Sequence, residues 1–125
     1  MSKRIIKITG WLLTAVIGSL FSMSAFLKLT LSETAVTQAA IFGIDHSSYV
    51  ILGIIEIISL ILFIFPRTGV LGTLLLASYL GGAIATHLQH QQPVITAVII
   101  QVILWVTAVV RFPELKHRLV PTAKQ

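Results

Sequence analysis

Four long, largely apolar stretches, Ile8–Leu27, Tyr49–Phe65, Gly69–Leu88 and Pro93–Val110, leave this chain few ways to fold. Each falls within the roughly 17–25 residues that a helix needs to cross bilayer hydrocarbon. A transmembrane β-barrel would need segments of about ten residues that alternate apolar and polar. The run Ile57-Ile58-Ser59-Leu60-Ile61-Leu62-Phe63-Ile64-Phe65 does not alternate. Composition closes the water-soluble route, because only 10% of the 125 residues are charged, against about 25% in soluble domains. A mean hydropathy of +0.97 agrees. The sequence therefore predicts an all-α polytopic membrane protein, an antiparallel bundle of four transmembrane helices forming one domain over residues 1–125.

Lysine and arginine set the expected orientation, since basic residues near span ends are retained in the cytoplasm. Lys3, Arg4 and Lys7 precede the first span, Arg67 sits in the second loop, and Arg111, Lys116, Arg118 and Lys124 follow the last. The first and third loops together offer only Lys28. An even number of spans then places both termini inside. The net charge of +5 reads as a topology signal and an attraction to anionic lipid head groups, not as a nucleic-acid surface, because the cations are split between the two ends of the chain. Lys3-Arg4 followed by an apolar run to Ser22-Met23-Ser24 also fits a signal peptide. The run continues through Ala25-Phe26-Leu27, longer than such segments usually are, which favours a retained span.

The chain has no cysteine, which removes disulfides, thiolate metal sites and cysteine nucleophiles. No GxGxxG, Walker, HExxH or GxSxG cassette is present. In the first span, Ala15, Gly18, Ser22 and Ala25 share a face and predict a packing seam. The first loop, Leu29 to Ser48, is partly apolar over Glu33–Gly43 and predicts a short surface helix. Asp45 with Ser47 and Ser48 predicts a cap for the second span. The glycines and hydroxyls of the third span, among them Gly72, Ser78, Gly81 and Gly82, predict a central helix with close neighbours. Pro93 suits the first turn of the fourth span, where Gln101, Trp105 and Ala108 share a face. Trp11 and Trp105 lie toward the cytoplasmic side as interfacial anchors.

Glu56 is the most informative residue. An ionised side chain inside a span costs roughly 2.5–3.5 kcal/mol on insertion scales for comparable charges, so a proton or a partner must offset it. Glu56 lies seven residues below Tyr49, about 10 Å beneath the outer edge at 1.5 Å per residue. Lys28, at the outer end of the first span, either reaches down to it or snorkels to the head groups. His87 belongs to the same outer half. Lys28, Glu56, Tyr79, Thr86, His87 and Gln101 are the candidate pocket, open to the outer side. A purely structural Lys28–Glu56 lock between helices is the competing reading. His87 and His90, with His46 and Asp45, make an incomplete ligand set for a metal, and a bis-histidine haem lacks a second buried histidine. Neither metal nor haem is expected.

Several segments resemble one family throughout the chain. They are Phe26-Leu27-Lys28-Leu29, Gly53-Ile54-Ile55-Glu56-Ile57, Phe65-Pro66-Arg67-Thr68 and Tyr79-Leu80-Gly81-Gly82-Ala83-Ile84-Ala85-Thr86-His87-Leu88, and they resemble the DoxX-like membrane proteins. The resemblance implies a four-helix bundle of the bacterial cytoplasmic membrane, with Lys28, Gly53, Glu56, Pro66, Arg67, Gly82, Thr86 and His87 as its motif residues. Relatives in the broader DoxX and DoxD group are associated with quinone-linked sulfur oxidation and with complexes handling oxidative stress. Gln89 stands where relatives often carry a basic residue, which weakens an anion site at the outer mouth.

Three functions fit these features. The first is an accessory subunit of a quinone-linked redox system, in which Glu56 or His87 relays protons while a membrane or soluble partner supplies electrons. The second is an assembly partner that docks other helices through its small-residue faces. The third is a small transporter, which would act only as a homo-oligomer and shows no inverted repeats or broken helices.

Overall fold

The computed structural model describes residues 2–120. Its helices are α1 (Lys3–Leu29), α2 (Glu33–Phe42), α3 (His46–Ile64), α4 (Gly69–Gln89), α5 (Ile95–Arg111) and α6 (Pro113–Leu119), with a 3-10 turn over Pro66–Thr68 between α3 and α4. Three segments, Lys3–Leu29, His46–Ile64 and Pro66–Gln89, are long and apolar enough to cross a membrane. α5, with 17 residues, rises only about 26 Å against roughly 30 Å of hydrocarbon. It passes as a candidate span only when counted with α6, but α6 turns from it by 115° and so adds no rise across the bilayer. The chain is an all-α polytopic membrane protein.

α1 packs on α3 and α5, and α4 packs on the same two, which closes a square of four helices. Neighbours run antiparallel. Gly10 near the start of α1 meets Arg111 at the end of α5, and Gly69 at the start of α4 meets Phe112. The core draws on every wall: Ile17 and Phe21, Leu60 and Phe63, Leu76 and Leu80, Leu104 and Ala108, closed at one end by Phe112. Large apolar side chains such as Leu12, Ile54, Ile58, Leu71 and Val102 point outward. That is what lipid-facing helices require, since hydrocarbon exerts no force driving such side chains inward. Buried hydroxyls satisfy themselves locally. Thr14 donates to the Gly10 carbonyl, Thr73 to Gly69 and Thr107 to Ile103, because no water is on hand in the interior.

Helix ends follow local chemistry. Ser2, Ser32 and Asp45 cap α1, α2 and α3 by accepting from the backbone N–H three residues on, the arrangement expected for Asp45. α2 ends on Gly43 in the left-handed region, at φ 66°. α1 and α4 stop in the same way with larger residues, Leu31 at φ 48° and Gln91 at φ 59°. The Ser32 N–H then bonds the Leu27 carbonyl and the Gln92 N–H the His87 carbonyl. That closure carries the chain beyond Pro93, so α5 starts at Ile95 behind Val94. Pro93 therefore lies outside the helix it was expected to open.

Two packing expectations need correction. The buried face of α1 is Gly10, Thr14, Ile17, Phe21, Ala25 and Lys28. Of the expected seam only Ala25 belongs to it, whereas Ala15 and Ser22 are exposed and Gly18 has open space where a Cβ would stand. In α4 only the glycines of the first turn, Gly69 and Gly72, are closely approached. A Cβ at Gly72 would lie 2.1 Å from the Phe63 backbone nitrogen, but Gly81 and Gly82 have nothing within 4 Å. The physical cause is common to both. In a helix apolar all round, small residues on the lipid side and on the core side look alike.

Candidate functional site

Glu56 lies midway along α3 with no exposed surface. One carboxylate oxygen, Oε1, gathers three donors: Lys28 Nζ at 2.7 Å, Tyr79 Oη at 2.7 Å and Ser24 Oγ at 3.1 Å. Lys28 also donates to Ser24 Oγ at 2.6 Å. The other oxygen, Oε2, is buried without a hydrogen-bond partner. Three helices thus converge on one atom, α1 through Ser24 and Lys28, α3 through Glu56, and α4 through Tyr79.

The backbone makes this convergence possible at Gly53, one turn from Glu56 on the same face of α3. A Cβ there would stand 3.1 Å from Lys28 Cβ, 3.1 Å from Leu29 Cγ and 3.3 Å from the Ala25 carbonyl oxygen. With glycine in place α1 lies close enough for Lys28 to turn inward, and its side chain is only 11% exposed. The snorkelling alternative for Lys28 does not hold. The aromatic walls add to its stabilisation, with Nζ 5.4 Å from the Tyr49 ring and 5.8 Å from the Tyr79 ring. Tyr79 is braced in turn by an edge-to-face contact with Phe21.

Ser24 and Lys28 also line a groove of about 250 Å³ between α1 and α2. Its other walls are Leu20, Met23 and Leu27 of α1 with Thr34, Ala35 and Gln38 of α2. α2 sits against this end on a small apolar cluster of Ala35, Ala39 and Tyr49. It is tied there by the Tyr49 hydroxyl, which donates to Gln38 Oε1 at 3.0 Å. Ser24, Tyr49 and Gln38 were not singled out from the sequence. Helical spacing held a signal for two of them, because Ser24 stands four residues before Lys28 and Tyr49 seven before Glu56.

The remaining predicted residues are elsewhere. His87 bonds the Ala83 carbonyl through Nδ1 at 2.6 Å and packs on Phe42 of α2, with ring centroids 4.7 Å apart. His90 bonds the Thr86 carbonyl and meets the same Phe42 ring at 5.7 Å. Thr86 donates to the Gly82 carbonyl of its own helix. Gln101 donates to the Ala77 carbonyl, linking α5 to α4, and its Oε1 is buried without a partner. None of these four is hydrogen-bonded to the Glu56 cluster, which joins Lys28, Glu56 and Tyr79 alone from the predicted set. No three His, Cys, Asp or Glu residues come together to hold a metal among the described residues.

At the opposite end Arg111 of α5 donates from Nη1 to the Phe63 carbonyl at 2.9 Å and from Nη2 to the Ile64 carbonyl at 3.0 Å. Its guanidinium stacks within 4.7–5.0 Å of the Trp11, Phe63 and Phe112 rings. Pro66 has no N–H for the Leu62 carbonyl, which accepts from the Thr68 hydroxyl instead, and Arg111 supplies donors to the next two orphan carbonyls, Phe63 and Ile64, at the negative end of the helix dipole.

The chemistry open to the two ends therefore differs. Arg111 has its planar donors committed to carbonyls and rings. Lys28 has three N–H groups, of which two go to Glu56 and Ser24, while Glu56 Oε2 keeps free lone pairs. The Glu56 cluster can accept a proton and can offer donors to a ligand in the groove.

Comparison with known sequences agrees with this architecture. The sequence model of the DoxX-like family matches residues 12–111, a span that begins in α1, ends with α5 and contains Ser24, Lys28, Glu56 and Tyr79. No curated protein and no solved structure matches the chain. With the match covering most of its length, the chain belongs to the DoxX-like family.

Proposed function

We propose that this DoxX-like membrane protein is an accessory subunit of a membrane redox system, holding a quinone or a similar carbonyl-bearing amphiphile in the groove beside Lys28. The observation that carries the reading is a buried carboxylate with one unpartnered oxygen, wired through Lys28 and Ser24 to a groove lined by those same two residues. The groove suits such a head group. Leu20, Met23, Leu27 and Ala35 give it apolar walls, and Lys28, Thr34 and Gln38 supply donors. Its 250 Å³ is smaller than the roughly 300–1,000 Å³ of drug-sized sites, which leaves room for one substituted ring. A bound quinone would supply the two-electron, two-proton chemistry, with electrons delivered by a membrane or soluble partner.

The chain's own residues would do the rest. Lys28 orients a carbonyl oxygen, Ser24 joins the groove to Glu56, and Glu56 with Tyr79 holds or moves the proton. The positive-inside rule supports placement in a bacterial cytoplasmic membrane with both termini cytoplasmic and the Glu56 cluster toward the outer half. A second reading is an assembly partner in which Lys28–Glu56 only locks α1 to α3. The open faces at Gly18, Gly81 and Gly82 favour it, since small residues let a further helix, including one from a second copy, approach closely.

Infrared difference titration of purified protein, wild type against Glu56→Gln, separates the two. A carboxyl band assigned to Glu56 that takes up a proton and shifts when a short-chain quinone is added supports the redox reading. A band insensitive to every quinone tried and changed only by Lys28→Met rejects that reading in favour of the lock.

A further inference from the structure

Most of the basic residues stand at the end of the bundle that Arg111 closes, away from the Glu56 groove. α5 and α6 meet at a 115° bend, so where α5 crosses the bilayer α6 runs along its surface. Leu115 of α6 packs against the core, one turn before Leu119, which is 47% exposed, and Val120, which is 50% exposed. Between them Lys116 and Arg118 are exposed. Three chain segments meet at this corner. Phe112, at the head of α6, fills the space beside Gly69 just after the Pro66–Thr68 turn that carries Arg67. Arg111 stacks on Trp11 of α1, two turns beyond Lys3 and Arg4. Lys3, Arg4, Lys7, Arg67, Lys116 and Arg118 are all exposed, and none takes part in an ion pair among the described residues. Among the described residues, the acidic residue placed with them is Glu114.

We infer that this corner is a binding surface for the phosphate head groups of anionic phospholipids, with α6 as an in-plane foot. The apolar side chains of α6 dip toward the acyl chains while Lys116 and Arg118 meet the phosphates. The α1 start and Arg67 extend the positive potential around the bundle. The excess of cations over acids supplies charge complementarity to an anionic leaflet. Arg111 itself is committed to the α3 carbonyls and serves to hold the three segments together.

The chain holds two tryptophans, so Trp105→Phe leaves Trp11, stacked on Arg111, as a reporter at this corner. The full chain is reconstituted in phosphatidylcholine bilayers containing either brominated phosphatidylglycerol or brominated phosphatidylcholine at equal mole fraction. Stronger Trp11 quenching by the anionic lipid is expected. That excess should fade as the Debye length shrinks from about 10 Å at 0.1 M salt to about 3 Å at 1 M. In Lys116→Gln/Arg118→Gln the preference should fall by about fivefold for each cation removed. Equal quenching by the two lipids overturns the inference, and so does an excess that neither salt nor the α6 variant reduces. If the α6 variant fails to insert, the salt titration on the single-tryptophan protein decides the matter alone.

Discussion

The two ends of the bundle solve the same problem, holding charge among apolar helices, in opposite ways. At the arginine end, Arg111 is bonded to two backbone carbonyls and flanked by three rings. Gly69 and Gly72 let neighbouring atoms come closer than any Cβ would allow, and at Gly10 the Arg111 Cγ lies 3.0 Å from where a Cβ would stand. At the Glu56 end, Lys28 and Glu56 neutralise one another, yet one carboxylate oxygen has no donor and a groove opens beside the pair. The first arrangement uses its polar groups to close the fold. The second keeps unused hydrogen-bonding capacity beside a space that a ligand can fill, which is why the functional reading is placed there.

The largest effect should come from splitting the buried pair. Lys28→Met leaves a carboxylate, and Glu56→Leu an ammonium, without its partner in the interior, a loss of about 3–5 kcal/mol for either single change. Lys28→Met/Glu56→Leu removes both charges and should recover most or all of that stability. Chemical denaturation in detergent micelles, followed by circular dichroism, gives all four corners of the cycle. A double variant as unstable as the singles would mean that the pair is not what holds α1 to α3. The contrast between the ends would then fail on energetic grounds.

The next effect tests the closed end. Arg111→Lys keeps the charge, and so the topology signal, but one ammonium cannot reproduce the planar fork that reaches both the Phe63 and Ile64 carbonyls. A loss of about 1.5–3 kcal/mol is expected, the range for a hydrogen bond to a charged group. The same micelle denaturation measures it. Near-equality of Arg111→Lys with wild type would show that the ring contacts and close-packed glycines, not the carbonyl bonds, close this end.

The sequence made the depth of these residues legible and their azimuth illegible. Four apolar stretches, the Asp45 cap and the short helix over Glu33–Phe42 were all readable, because hydropathy and capping act along the chain. Lys28 and Glu56 could be paired because the antiparallel turn brings them to similar depth. His87 shares that depth, yet α2 folds back and engages its ring through Phe42, a contact that follows from a loop and not from a span. Ala15, Gly18 and Ser22 of α1 face away from the core, which is illegible for a related reason. A membrane helix is apolar toward lipid and toward core, so the period that reveals the buried stripe of a soluble helix is nearly flat here. Ser24 was hidden for the same reason, although its four-residue spacing to Lys28 was available. Arg111 read from the sequence as a topology signal, because its partners, two orphan carbonyls above Pro66, come from a distant turn.

The smallest effect sharpens the comparison through pH. Asp45, which caps α3 at the Glu56 end, has its carboxyl held below the ordinary aspartate range, first by the Ser48 hydroxyl and then by the Ser48 backbone N–H. A carboxyl depressed in the folded state contributes stability that is fully present above its unfolded pKa, and this is lost as pH falls through the lower folded value. The cap should therefore loosen only in acid, below about pH 4 on the ordinary aspartate scale. Amide exchange at Ser48 and Tyr49, corrected for its intrinsic pH dependence, should then accelerate in wild type but show no such acid limb in Asp45→Asn. The first turn of α4, where Thr68 has no side-chain cap bond, should show none in either protein. An acid limb shared by both ends would mean that the whole bundle is loosening, and that the Glu56 end is no more responsive than the end Arg111 closes.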